Sequence, residues 1–240
     1  MKKISIIILG FLCIFDMFAQ PQKKTPQNPS QHPGFAVSQA KTVKDIDGNI
    51  YHTVVIGNQT WMVENLKTTH YNDSTAIPLV TEDKEWADLI TPAYCWYNND
   101  ATYIEKYGAL YNWFAVETGK LAPVGWHVPS DAEWTTLTTY LGGEEEAGGK
   151  LKEAGTVNWK TPNTGATNST GFSALPGGWR SWEEVGKFSS LGGTIGLWWS
   201  STEATLLNAW LKGLLYNDSN LSRAGEFFKM DGISVRCVMD

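Results

Sequence analysis

The stretch GWHVPSDAEWTTL, residues 125–137, decides how the fold is read. It sets His127, Asp131 and Glu133 close together, beside Trp126 and Trp134. Such a cluster is either a catalytic or metal-binding group, or a helix start that carries charge. The spacing favours the helix. Ser130, Asp131, Ala132 and Glu133 match a capping box: the Ser hydroxyl accepts the Glu amide and the Glu carboxylate bonds back to the Ser amide. Trp134, Leu137 and Leu141 then recur at i, i+3 and i+7, one face of a helix, and Gly142-Gly143 end it. Asp131 in the first turn suits the positive end of the helix dipole. His127 lies upstream on extended chain without another histidine nearby, whereas metal sites use several ligands. The cluster is therefore read as structural.

Downstream, a second helix is expected over residues 144–154, containing Lys150, Leu151 and Lys152. Beyond it the chain is rich in Gly, Ser, Thr and Asn. It carries strand-like pieces: GFSALPGGWR, GLWWSST, NAWLKGLLY and EFFKMDGISVRCVMD. Upstream, YGALYNWFAVE (residues 107–117) places Leu110, Trp113, Phe114 and Glu117 at helical spacing, with Trp113 and Phe114 as core. Residues 65–105 are polar and irregular. Earlier still, TVKDIDGNIYHTVVIGNQTWMVENL reads as a β-meander. Its strands are residues 43–46, 50–56 and 59–63, turned at Asp47-Gly48 and Gly57-Asn58. Asp45, Asp47 and Asn49 look like part of a calcium loop. The full motif needs a third oxygen ligand before its Gly and a distant Glu, so the hairpin turn is the preferred reading.

The N-terminus reads as a signal peptide over residues 1–19. Lys2 and Lys3 form a basic start, residues 4–15 are apolar but short for a bilayer span, and Ala19 is a small residue suited to cleavage. Leu12 before Cys13 does not suit lipidation. Residues 20–40, QPQKKTPQNPSQHPGFAVSQA, are rich in Pro and Gln and read as a disordered spacer. The domain is expected over residues 41–240, exported and then secreted or held at the cell surface, with no membrane span after cleavage. Loss of the leader takes the net charge from −6 to −7. No basic run exists, so nucleic acid is not an expected partner.

The ordered series DIDGNIYHTVVIGNQTWMVENLK, YCWYNND, YGALYNWFAV, GWHVPSDAEWTTL, GGKLKEAG, GFSALPGGWR, LWWSSTE and SVRCV resembles the Fibrobacter succinogenes major paralogous domain family across residues 41–240. The resemblance implies an exported, often surface-associated protein without an assigned activity. More distantly, VPSDAEW, GGWR and the terminal SVRCV are similar to the sulfatase-modifying-factor family, which has a C-type-lectin-like fold. That implies an α+β fold here: twisted antiparallel strands, two or three helices and long loops. The catalytic parts of that wider family do not carry over. Its formylglycine-generating members need a reactive cysteine pair and its iron-dependent members a histidine cluster. Here the histidines at 32, 52, 70 and 127 have no ligand-pair spacing. The calcium motifs of lectin members have only imperfect counterparts, Thr161-Pro162-Asn163 and Tyr216-Asn217-Asp218.

No G-x-S-x-G, phosphate loop or H-E-x-x-H is present. The acid runs Glu183-Glu184 and Glu144-Glu145-Glu146 read as solvated. No catalytic residue, metal or cofactor is therefore expected. The 12 tryptophans instead suggest aromatic contact surface. Trp179, Arg180, Trp182 and Trp198 are the candidate binding residues, because Trp rings stack on sugars and anchor protein interfaces. In GGWRSWEEVGK the two rings flank Arg180 in a Gly-rich loop, expected to reach solvent. Trp198 and Trp199 must point to opposite sheet faces, so one of them is expected in the core. Arg236 reads as a structural ion-pair partner. Cys95 and Cys237 survive leader removal, and an oxidising compartment favours a disulfide between them. The leading functional expectation is a non-catalytic exported module that binds a carbohydrate or another surface protein. The alternatives are a secreted hydrolase or modifying enzyme whose acids are gathered by folding, and a purely structural surface component. The oligomeric state is left open.

Overall fold

A computed structural model describes residues 38–189 and 192–240. The expected signal peptide and most of the expected spacer lie outside the described residues. The meander forms as the turn chemistry requires. β1 (Ser38–Lys44), β2 (Ile50–Ile56) and β3 (Gln59–Met62) pair antiparallel in order. β1 begins ahead of Lys41, so it reaches into the stretch read as spacer. Gly48 turns the first hairpin at φ +88, a left-handed value suited to glycine. Asp45 fixes that turn. One carboxylate oxygen accepts the Asn49 amide at 2.9 Å, and the other accepts the Asn49 side chain and the Tyr51 hydroxyl at 2.8 and 2.6 Å.

The remaining elements follow in chain order: α1 (Asp83–Ala87), β4 (Tyr94–Trp96), α2 (Ile104–Tyr107), β5 (Ala109–Tyr111), α3 (Trp113–Glu117), β6 (Trp126–His127), α4 (Asp131–Tyr140), α5 (Glu144–Leu151), β7 (Trp179–Arg180), β8 (Phe188–Ser189), β9 (Ile195–Glu203), β10 (Asn208–Leu215), β11 (Ser222–Phe228), β12 (Ile233–Ser234) and β13 (Val238–Met239).

Two expected helices are corrected. Residues 107–117 are a strand followed by a short helix, because buried Asn112 interrupts the periodic run. Its Oδ1 accepts the amides of Ala93 and Ala115 at 3.0 and 3.2 Å, so it caps α3 and holds β5 extended before it. α5 stops at Leu151 rather than Ala154. Lys152 leaves the helix with ψ 140 and buries its ammonium against the carbonyls of Thr164, Leu215 and Asp218, at 2.8, 3.0 and 2.6 Å.

The strands form two large sheets, in the orders β1-β2-β3-β13-β6 and β11-β10-β9-β12-β5-β4, and a small β7-β8 ribbon. Pairing is antiparallel except between β12 and β9. The α+β class is therefore as expected, with α4 and α5 the two longer helices. Three apolar clusters fill the interior. The first unites Tyr51 and Met62 of one sheet with Tyr111, Leu197, Trp199 and Ile233 of the other. The second packs Trp134, Leu137 and Leu141 of α4, and Ala147 and Leu151 of α5, on Trp61 and Trp198. The third holds Trp86, Cys95 and Leu110 beyond the far face of β4 and β5. The first half of β9 runs between the first two clusters, which explains the unbroken apolar run Ile195–Trp199. Truncating any of its buried tryptophans to Ala should cost about 3–5 kcal/mol.

Candidate functional site

The capping box is present as the spacing requires. Ser130 Oγ accepts the Glu133 amide at 3.3 Å, and Glu133 Oε2 accepts the Ser130 amide at 2.7 Å. His127 belongs to the same assembly. Its Nε2 meets Glu133 Oε1 at 2.7 Å and its Nδ1 meets Asp240 Oδ1 at 2.6 Å. Both ring nitrogens are thus engaged by carboxylates, which leaves neither to bind a metal or accept a substrate proton. Burial lowers the His127 pKa, but the bonds to Asp240 and Glu133 outweigh it and hold the ring above its ordinary value. The group is an ionic clasp between β6, α4 and the end of β13. The Asp240 partner could not be found from sequence because it lies 113 positions away.

The expected binding residues divide. Trp198 is buried, and its Nε1 donates to Asn65 Oδ1 at 2.8 Å. Trp199 is buried on the opposite face, so both are core rather than one. Arg180 is also buried. Its Nε donates to Gly186 O at 2.6 Å and its terminal nitrogens to Val80 O and Thr81 O at 2.7 and 2.8 Å, with the Trp86 ring against the guanidinium. It ties the segment before α1 to the 181–187 loop and is not available to a ligand. Gly186 permits this approach, since a Cβ there would lie 2.1 Å from Asp83 O. Of the 12 tryptophans, seven are buried, five are half-buried and none is fully exposed. Most of the aromatic excess that suggested a binding face is therefore core.

Trp179 and Trp182 are half-buried, not free in a loop. Trp179 packs on Phe227 at 6.2 Å between ring centroids, and Trp182 on Phe228 at 4.6 Å. Asp231 fixes the second pair by accepting the Trp182 and Phe228 amides at 2.8 and 2.9 Å. Burial pushes the Asp231 pKa up to about 7, with the two amides opposing and Glu183 adding to the rise. Beside this pair, residues 204–207 close the β9–β10 hairpin. Thr205 Oγ1 accepts the amides of Leu207 and Asn208 at 3.2 and 3.1 Å, and Asn208 pairs with Phe228 across the strands. The tip nevertheless presents Leu206, 84% exposed, and Leu207, 55% exposed. Val185, in the Trp182 turn, is also exposed. Sequence reading missed the leucines because they look like part of the apolar run that enters β10.

The expected Cys95–Cys237 disulfide is not formed; both are free, buried thiols. Sheet geometry separates them. Cys95 pairs with Leu110 and shares its face, in the third cluster, while Cys237 sits in the first cluster with Tyr111, whose side chain faces the other way. Burial pushes the Cys95 thiol up to about 12 and raises that of Cys237 as well. Arg236, expected in an ion pair, has neutral partners instead: Asn65 Oδ1 and Phe172 O. Separately, a shallow depression of about 360 Å³ lies against α5, lined by Glu145, Gly149, Thr167 and Ser219 among others.

The family described as Fibrobacter succinogenes major domain matches residues 54–239. No curated protein and no solved structure matches the chain.

Proposed function

The chain belongs to the Fibrobacter succinogenes major domain family, and from that premise we propose that it is an exported, non-catalytic binding module with a C-type-lectin-like fold, gripping a protein partner at one end of its larger sheet. The contact surface is Trp182, Phe228, Leu206 and Leu207, with Val185 at its margin. The observation that carries this reading is the locally hydrogen-bonded hairpin tip that offers two leucines to water beside a fixed aromatic pair. A pre-ordered loop loses little entropy on binding, and clustered exposed apolar groups mark interaction sites. Export rests on the basic, apolar and small-residue pattern of residues 1–19.

The test is a photo-crosslinking residue at position 206 in cells, with and without Trp182→Ala. A discrete protein adduct that Trp182→Ala diminishes supports the reading. A glycan array, run with and without chelator, separates the carbohydrate reading. Sugar binding lost in Trp182→Ala, without any protein adduct, would assign the surface to glycan instead. Neither adduct nor sugar would favour a purely structural component. Sequencing the N-terminus of the mature protein checks export.

A further inference from the structure

The face of β10 and β11 that turns toward α4 carries two cations side by side. Lys212 and Arg223 are register partners, and like charges directly opposite on a sheet repel. Lys212 shares its face with Leu214 and pairs across the sheet with Trp198; both of these lie in the cluster beneath α4 and α5. Arg223 reaches the same helices, and its Nε donates to both oxygens of Asp131 at 2.8 and 3.0 Å. Its guanidinium lies 3.3 Å from the centre of the Trp210 ring. The two terminal nitrogens of Arg223 have no hydrogen-bond partner among the described residues.

Lys212 is the anomaly. The residue is 1% exposed, yet its ammonium has no hydrogen bond or ion pair among the described residues. The other two buried lysines are satisfied: Lys152 by three carbonyls and Lys229 by Glu203 at 3.0 Å. A buried cation without a partner is costly. Burial depresses the Lys212 ammonium, the more distant charges of Glu144 and Asp131 oppose this, and Arg223 adds to it. Of the two carboxylates that act on this pair of cations, Asp131 is hydrogen-bonded to Arg223 alone and Glu144 acts only from a distance.

We propose that Lys212 and the terminal nitrogens of Arg223 form a site for a small oxyanion, the carboxylate or sulfate of an acidic ligand. The guanidinium offers a planar pair of donors backed by Trp210, and the ammonium a point charge on the neighbouring strand. The site does not rest on the Trp182 surface, and either can fail without the other.

The test is calorimetric titration of the full chain with sodium glucuronate and, separately, with sodium sulfate, at constant ionic strength set by chloride. One saturable site is expected, weakened about tenfold or more by Lys212→Met and by Arg223→Gln, as loss of a charge-assisted bond implies. Glucuronate alone binding would identify a carboxylate ligand, and sulfate alone a sulfated one. Saturable binding of neither anion, or equal binding by wild type and variants, would overturn the proposal. The Arg223 side chain is 36% exposed, so Arg223→Gln carries the test even if Lys212→Met fails to fold.

Discussion

Asn65 lets an arginine sit in the core, and replacing it should be severe. Its Oδ1 accepts Trp198 Nε1 at 2.8 Å, Arg236 Nη2 at 2.7 Å and Arg236 Nε at 3.2 Å, while its Nδ2 donates to Tyr107 O at 2.9 Å. Arg236 is 1% exposed, with Phe172 O as its other acceptor and the Phe172 ring 4.2 Å from the guanidinium. Burial pulls its pKa down to about 9, with Glu64 opposing. Asn65→Leu keeps a similar volume but removes all four bonds. A buried polar group left unpaired costs about 1–3 kcal/mol, and more when charged. Removing the partner of a buried charge costs about 3–5 kcal/mol. Losses within one network do not simply add, so the net expectation is about 5 kcal/mol. A domain of this kind has about 5–15 kcal/mol in total, so the variant should be marginal. Urea unfolding followed by tryptophan fluorescence measures the loss, at unchanged m. Asn65→Asp keeps the acceptor and loses only the donation to Tyr107 O, so it should be much milder. A loss below about 1 kcal/mol in Asn65→Leu, within the range of one ordinary hydrogen bond, would refute the reasoning. So would an Asp variant less stable than the Leu variant.

Ser130→Ala removes the cap of α4 and should cost about 1 kcal/mol in denaturant unfolding; no measurable loss would mean that Glu133 and His127 hold the helix start unaided. Cys95 and Cys237 should both react with an alkylating agent in denaturant without reductant, and neither in the native state; two unlabelled cysteines in denaturant would restore the bridge. For Asp231, the folded pKa of about 7 exceeds the ordinary aspartate value of 3.8. Its contribution to stability is therefore full below about pH 4 and lost as the pH rises to about 7, because the unfolded chain ionises first. Asp231→Asn should flatten that part of the pH–stability curve in thermal melts. Parallel curves for wild type and variant would count against the assignment.

Local chemistry was legible in the sequence and distant geometry was not. The meander turns, the capping box and the Trp134-Leu137-Leu141 face each involve residues a few positions apart, where propensity and spacing decide. Asn112 shows the limit. Its neighbours fit a helical period, but its side chain is claimed by amides on two elements, and that overrides the pattern. Trp198, Arg180 and Lys212 show another limit. An aromatic or cationic residue in a Gly-rich, strand-like stretch reads the same whether it faces water or core. Burial of these three depends on Asn65, on the 80–83 segment and on α4, all far away in sequence. The cysteines failed for a similar reason. Counting thiols in an oxidising compartment says nothing about which face of a sheet each one takes.

β12 lies between β9 and β5, and β13 between β3 and β6. Residues 233–239, which follow all four of these neighbours in the chain, therefore supply an inner strand to each large sheet. Until they arrive, four strands have a bare side, and unpaired strand edges invite association with other chains. Such a topology postpones commitment. The nascent chain has no complete sheet to lock into, and under the proposed export, which would thread it unfolded through a narrow pore, the delay is an advantage. The same arrangement makes residues 233–239 a point of attack. A proteolytic cut ahead of Ile233 would not fray an edge but detach an inner strand from both sheets.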